Sequence, residues 1–246
     1  LLDAAREIFD ALDRVEMKVS DLKGLKQGYL RLGVITIAKY FAPGALGGFC
    51  KKYPGVEVSL EVTNREHLLE RLARNEDDLY ILGQMPRSDL DLEVIPFAPN
   101  PLHVMAHRKH PLASAGKITL ERLRDEYFIM RESGSGTRAT VERMFAEKGL
   151  KPKVRMELGS NEAIKHAIMA QLGISVLSLH TVTLEAGSGP LAILDVEGFP
   201  IQRTWNVVYP KGKELSVVAK AFLEFLKGEE GKLAAKMDKT VKRLCR

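Results

Sequence analysis

One pattern, strand then helix then strand, occurs twice in this 246-residue chain and restricts it to few folds. In the first copy, residues 30–35 lead through a polar loop and a helical stretch to a second strand at 56–62. In the second copy, residues 127–130 lead in the same way to 154–158. Each second strand runs into an Asn that opens a further helix, Asn64 in one copy and Asn161 in the other. An apolar run follows each of those helices, at 79–82 and at 174–179. Strands alternating with helices imply parallel pairing, and such sheets bind ligands at the carboxyl ends of their strands. Residues 102–106 carry the chain into the second unit and 205–209 bring it back, so two crossings form a hinge. The expected fold is α/β: two Rossmann-like lobes with a two-strand hinge, preceded by a helix. Residues 1–27 are read as that helix, 28–101 with 208–246 as the first lobe, and 102–207 as the second.

The chain is long enough for two cores of roughly 100 residues each. Its apolar share of 45% and charged share of 28% fit an ordinary globular protein. No apolar run approaches the ~20 residues of a membrane span. The net charge of +5 is concentrated at one end: seven basic and three acidic residues from Lys227 onward give +4, leaving +1 for the rest. The lobes are therefore close to neutral, and nothing resembles a base-reading surface. Cys50 and Cys245 stand far apart and are read as reduced thiols in a cytoplasmic protein. The first residues form neither a signal peptide nor an initiator Met, so the chain is expected to begin inside a longer protein.

Ala5, Ile8, Leu12, Val15, Val19 and Leu22 are spaced alternately three and four apart, the seam of a pairing helix. Self-association through Ile8, Leu12, Val15 and Val19, as a homodimer or homotetramer, is the expectation. Pro43 suits the first turn of the helix that follows strand one, and Thr63 with Glu66 reads as a capping box. Near the other end, residues 215–226 read as a helix packed on the first lobe. Beyond Gly228 and Gly231 a separate basic helix is expected, with Leu233, Met237, Val241 and Leu244 on one side, either docked or frayed.

Reactive constellations are missing from the sequence. There is no His-Glu-x-x-His, no Cys-x-x-Cys and no Gly-x-Ser-x-Gly. Neither a catalytic residue, a metal site nor a resident cofactor is therefore expected. One polar stretch, residues 131–138, follows a strand and opens a helix predicted at 139–148. Glycines there leave backbone N–H groups free at the positive end of the helix, beside Ser133, Ser135, Gly136 and Thr137, which suits a phosphate or carboxylate. Arg138 adds a possible bidentate contact. The same stretch, Gly134-Ser-Gly-Thr-Arg-Ala139, also fits a dinucleotide fingerprint with Glu157 placed to hold a ribose, which keeps an NAD(P)-dependent enzyme as an alternative. In the first lobe Thr36, Lys39, Asn64, Arg65 and Gln84 fall at strand ends where the cleft opens, with Asn161 at the matching place in the second. Donors and cations so arranged favour a small anionic metabolite.

Other residues carry a family likeness. Gly28-Tyr-Leu-Arg-Leu-Gly33, Tyr40-Phe-Ala-Pro43, Phe49-Cys-Lys-Lys-Tyr-Pro-Gly-Val56, His110-Pro-Leu-Ala113 and Ala170-Gln-Leu-Gly-Ile-Ser-Val-Leu177 occur in order over nearly the whole chain. The chain resembles the effector-binding part of a LysR-type transcriptional regulator, which implies a type II periplasmic-binding-protein-like fold. Asn64-Arg-Glu66, Gly83-Gln-Met-Pro86 and the 131–138 stretch are similar to regulators of the RuBisCO operon and of inorganic-carbon uptake. That resemblance implies ribulose 1,5-bisphosphate, 2-phosphoglycolate or NADPH as effector, and DNA contact only through an N-terminal winged helix-turn-helix outside this sequence. A transporter's solute-binding protein, sharing the two-lobe form, is the other alternative.

Overall fold

The computed structural model describes residues 27–83, 90–187 and 189–244. The pairing helix, with Ile8, Leu12, Val15 and Val19, and the cleft candidate Gln84 lie outside the described residues.

The first lobe is built on a five-stranded sheet. Strand β1 (Gly28–Ile35) is flanked in parallel by β2 (Val56–Thr63) and β3 (Leu79–Leu82). Strand β10 (Thr204–Pro210) returns antiparallel to β3 and pairs on its other side with β4 (Leu92–Pro99), giving the order β2-β1-β3-β10-β4. Helix α1 (Ala42–Lys52) begins with Pro43 in its first turn, as expected. It lays Leu46 and Phe49 on the core formed by Leu30, Leu32 and Val34. On the opposite face, α2 (Arg65–Ala73) packs Leu68 and Leu72 against Tyr80 and Leu82.

The second lobe repeats this layout. Strands β6 (Tyr127–Arg131) and β7 (Lys153–Leu158) pair in parallel, while β8 (Ser175–Ser178), β5 (Leu102–His107) and β9 (Leu191–Leu194) form an antiparallel set. Ile129 N–H donates to the Ile174 carbonyl at 2.8 Å, and Ile174 N–H donates to Tyr127 at 2.9 Å. These bonds join the two sets in the order β7-β6-β8-β5-β9. Position by position this is β2-β1-β3-β10-β4 again, with α3 (Gly136–Ala146) and α4 (Asn161–Met169) in the roles of α1 and α2. The duplication in the sequence is thus a duplication of topology.

Several local expectations change. Strand β10 starts at Thr204 and lies wholly in the first sheet, so a lobe boundary at 207/208 would cut it. The cap of α2 is Asn64, whose Oδ1 accepts from His67 N–H at 3.0 Å, while Thr63 completes β2. Ser160 rather than Asn161 caps α4. Helix α3 begins at Gly136, three residues earlier than predicted. The last two expected helices are one helix, α5 (Val217–Leu244), which runs unbroken through Gly228 and Gly231.

Where the chain crosses between lobes, the two segments pair with each other. Asn100 N–H donates to Arg203 at 2.6 Å, and Leu102 exchanges two 3.0 Å bonds with Ile201. Trp205, fully buried beside this hinge, meets Phe41 with ring centroids 5.0 Å apart and His180 of the second lobe at 5.8 Å. Burial holds His180 and His103 down to about 4. The unfolded chain binds protons at these rings that the folded chain excludes, so stability rises with pH between about 4 and 6.5. The contribution is complete above pH 6.5 and is lost on descent, at roughly 2 kcal/mol per ring by pH 5. Melting curves should show a lower Tm at pH 5.0 than at pH 7.5, and a shallower dependence in His103→Leu. Equal slopes in the two proteins would show that His103 titrates alike in the folded and unfolded states.

Candidate functional site

Strand ends of the two lobes face each other across a narrow cleft. On the first lobe the lining is Ile35, Thr36 and Ile37 at the end of β1, Asn64 and Arg65 at the start of α2, and Leu82 with Gly83 after β3. The second lobe supplies Arg131, Ser135, Gly136 and Thr137, and the hinge supplies Arg203. The Thr36 hydroxyl donates to the Thr63 carbonyl at 3.1 Å, which ties the ends of β1 and β2 together. The cleft is narrow, with about 20 Å³ for the centres of water molecules, room for very few of them, so the lobes stand close together.

The electrostatics are one-sided. Arg65 is half-buried, its pKa lowered by desolvation, and it has no carboxylate partner among the described residues. Arg203 is pushed down to about 10, first by burial and then by the neighbouring cations Arg65 and Arg143. Both side chains lie against the first residue of α3. A methyl group at Gly136 would come within 2.9 Å of Arg65 Cδ and 3.5 Å of Arg203 Nη2. Glycine is needed there for the approach. Two arginine side chains thus lie at the positive end of a helix, where like charges repel.

Unpartnered donors point the same way. Thr137 is 4% exposed, and its hydroxyl has no hydrogen-bond partner among the described residues; neither does Arg65 Nε. Buried polar atoms are rarely left so, and each calls for an explanation. Arg131 is different. It is held by both oxygens of Glu132 at 2.7 Å and donates to Asn161 Oδ1 at 3.0 Å, so its charge is already balanced.

The residues expected from sequence therefore divide. Thr36, Asn64, Arg65, Ser135, Gly136 and Thr137 line the cleft. Asn161 stands behind it as an acceptor for Arg131. Ser133 and Arg138 face an outer groove between α2 and α3. Arg138 does not reach the cleft, because its guanidinium is taken by Glu142 at 2.7 Å, by Glu157 and by the Arg131 carbonyl. Lys39 leans over the Tyr40 ring, 5.3 Å from its centroid. The residues that sequence reading missed are Arg131 and Arg203. Arg203 had one signal: a cation immediately before the returning strand must pass the floor of the cleft.

The dinucleotide alternative fails here on geometry. Glu66 occupies the space over Gly134 and Arg65 that over Gly136, while Glu157 is engaged by Arg138. A cross-lobe bridge flanks the site: Tyr40 donates to Glu162 at 2.6 Å, and buried Lys165 pairs with Glu162 at 2.9 Å and with Glu185. Burial and the Glu162 carboxylate push the Tyr40 phenol up, so it remains a donor. No group of ligands for a metal ion exists among the described residues, and none of their helices is long and apolar enough to cross a membrane.

Comparison with known proteins fits this arrangement. The model of the LysR substrate binding domain matches residues 23–230. The HTH-type transcriptional activator CmpR of Synechocystis sp. is 54% identical over 226 residues, 92% of this chain and 74% of that protein. A RuBisCO operon transcriptional regulator of Acidithiobacillus ferrooxidans is 50% identical, over 92% of this chain and 73% of its own length. Among solved structures, the regulatory domain of Synechocystis PCC6803 CcmR in complex with 2-PG (2-phosphoglycolate) superposes with a TM-score of 0.79. It is 53% identical, and the match covers 82% of this chain and 97% of that one. The effector binding domain of QuiR in complex with shikimate shares the fold at a TM-score of 0.72 and 22% identity.

The uncompensated charge at Arg65 has a measurable consequence. Arg65→Met keeps the apolar stem and removes a desolvated cation, so it should raise stability by roughly 1 kcal/mol. For a chain of this size that is a Tm increase of about 2–4 °C. A lower Tm would mean that the guanidinium stabilises the fold through contacts that outweigh its charge.

Proposed function

This chain belongs to the LysR family of transcriptional regulators as its substrate-binding domain, and from that premise we propose that the cleft senses a small phosphorylated acid, with 2-phosphoglycolate the best fit. The supporting observation is the pairing of Arg65 and Arg203 on Gly136 at the start of α3, beside the unpartnered Thr137 hydroxyl. A phosphate there would accept backbone N–H bonds from the helix start and a hydroxyl bond from Thr137. The two guanidinium groups would balance its charge and that of a carboxylate. Charge-assisted bonds of this kind contribute roughly 1.5–3 kcal/mol each. The relative solved with 2-PG and the carbon-fixation regulators among the homologues support the choice. Ribulose 1,5-bisphosphate is a larger ligand with two phosphates, and NADPH is larger still, so either would need the lobes further apart.

Binding of an effector that favours one spacing of the lobes shifts their equilibrium. In the intact regulator this change reaches DNA-binding heads that precede the present sequence. Pairing through Ile8, Leu12, Val15 and Val19 is the proposed means of bringing two such heads together. The genes governed would be those of carbon fixation.

Calorimetric titration with 2-phosphoglycolate tests the site. Arg65→Met should weaken binding at least tenfold, and Thr137→Val several-fold, about 1 kcal/mol for one hydrogen bond. Arg138→Ala should stay within twofold of the parent, since that side chain is committed to Glu142 and Glu157. Loss of binding in Arg138→Ala with Arg65→Met unaffected would move the site to the outer groove. A thermal-shift comparison of 2-phosphoglycolate, ribulose 1,5-bisphosphate, NADPH and inorganic phosphate ranks the ligands. Saturation at ~100-fold over Kd adds roughly 2.7 kcal/mol for the true effector. A response to NADPH alone would overturn the size argument.

A further inference from the structure

Helix α5 has a property that the cleft does not require. Its first half belongs to the first lobe, where Val218, Phe222, Leu223 and Leu226 enter the core beside Phe49. Its last two turns belong to the second lobe. Met237 and Leu244, 5% and 3% exposed, pack with Leu177, Leu179, Val182 and Leu191, and Thr240 is buried between them. At 1.5 Å per residue its 28 residues span roughly 42 Å, enough to reach across both lobes. The part docked on the second lobe lies beyond residue 230, where the family match ends.

Beyond Leu226 the helix touches the first-lobe core once more, through half-buried Leu233, and Gly228 and Gly231 lie exposed between these two contacts. Glycine weakens a helix relative to alanine, and it is usually tolerated inside one because some neighbour demands the space. No neighbour among the described residues does so here: a methyl group at either position would meet none of them within 4 Å. The two glycines therefore lower the stiffness of α5 in the last turns on the first lobe, just before it passes to the second, so a bend there needs only the half-buried Leu233 to leave the first lobe. A helix clamped at both ends across a hinge must bend or undock when the lobes rotate apart.

We propose that α5 is a cross-lobe strap, bending at Gly228–Gly231, that favours the closed arrangement of the lobes and so sets the affinity of the cleft at a distance. In the closed arrangement seen here the helix is continuous and both ends are docked, so straightness and closure go together. The strap also meets the salt bridges beside the cleft. It packs on the 3-10 turns at Leu179–Val182 and Glu185–Gly187. Glu185 holds Lys165, which pairs with Glu162, the acceptor for Tyr40 of the first lobe. Undocking the end of α5 loosens the turn that carries Glu185, and with it a contact that spans the lobes. A merely structural helix would contribute to stability without coupling to the ligand.

The inference rests on the cleft being the effector site, so its test has an arm without ligand. Gly228→Ala/Gly231→Ala stiffens the strap with open space for both methyl groups, and Met237→Asp undocks it. A chain ending at Gly231 serves as a second undocked form should Met237→Asp fail to fold. With 2-phosphoglycolate as probe, the alanine pair should bind at least twofold tighter and the undocked forms at least threefold weaker, although none of these residues touches the cleft. In small-angle X-ray scattering without ligand, the undocked forms should show a larger radius of gyration, and the alanine pair should not. Affinities and radii equal to those of the parent would overturn the strap. If the parent fails to bind 2-phosphoglycolate while the scattering difference persists, the choice of ligand is wrong and the strap stands.

Discussion

The antiparallel pairing of the two crossing segments fixes where everything else in the molecule can go. Asn100 and Leu102 on one crossing are bonded to Arg203 and Ile201 on the other. Each crossing then becomes the fourth strand of the lobe it enters: β5 beside β8, β10 beside β3. Because both strands leave a common point, the carboxyl ends of β1, β2 and β3 are turned toward the start of α3. The same pairing delivers Arg203 to the floor of the cleft, since it stands between the hinge bonds and β10. Gly83 shows how tight the junction is: a methyl group there would lie 2.6 Å from Asn100 Nδ2.

Charge in the molecule is handled in two different ways, and the contrast marks the site. Arg71 is bound by both oxygens of Asp77 at 2.9 and 2.8 Å and by Glu76 at 2.8 Å, and this network raises its pKa. Arg131 and Arg138 are balanced in a similar manner. Arg65 and Arg203 face each other and a helix N-terminus, and their pKa values are lowered. Arg65, with no carboxylate partner among the described residues, gives up stability at this place. Binding sites are where such local conflicts persist, because the interaction that resolves them comes from the ligand.

The duplicated architecture was legible because strand and helix periodicities alternate cleanly in both halves. Strand β4 was not, and the reason is chemical. It contains Pro96 and Pro99, which cannot donate to a ladder and argue against an interior strand; β4 is in fact the edge of its sheet, where proline is tolerated. Helix α5 was read as two because Gly228 and Gly231 interrupt it, and docking at both ends overrides that local weakness. The glycine-rich start of α3 was picked out from its composition as a candidate anion site, and its residues Ser135, Gly136 and Thr137 line the cleft. The choice of cation was not recoverable in the same way. Arg138 looked suitable until Glu142, one turn along, and Glu157, on the next strand, were placed beside it. Arg203 lies 67 residues beyond Gly136, and only the hinge brings them together.

Whether ligand binding changes the lobe equilibrium depends on which contacts exist in one arrangement only. Shifting a two-state population from 1:99 to 99:1 requires differential binding of about 5.5 kcal/mol. A site wholly within one lobe would bind equally well with the lobes open or closed and would shift nothing. In the reading proposed here, the anion joins Arg65 from the first lobe, Gly136 and Thr137 from the second, and Arg203 from the hinge. Separating the lobes takes Arg65 away from the other groups. It also moves the Arg65 cation away from the positive start of α3, so without ligand this charge favours opening while the Tyr40–Glu162 bond opposes it. An anion reverses the electrostatic contribution and leaves the bridge unchanged. Two or three charge-assisted bonds at roughly 1.5–3 kcal/mol each then suffice for the shift, provided that most of them form only when the cleft is closed.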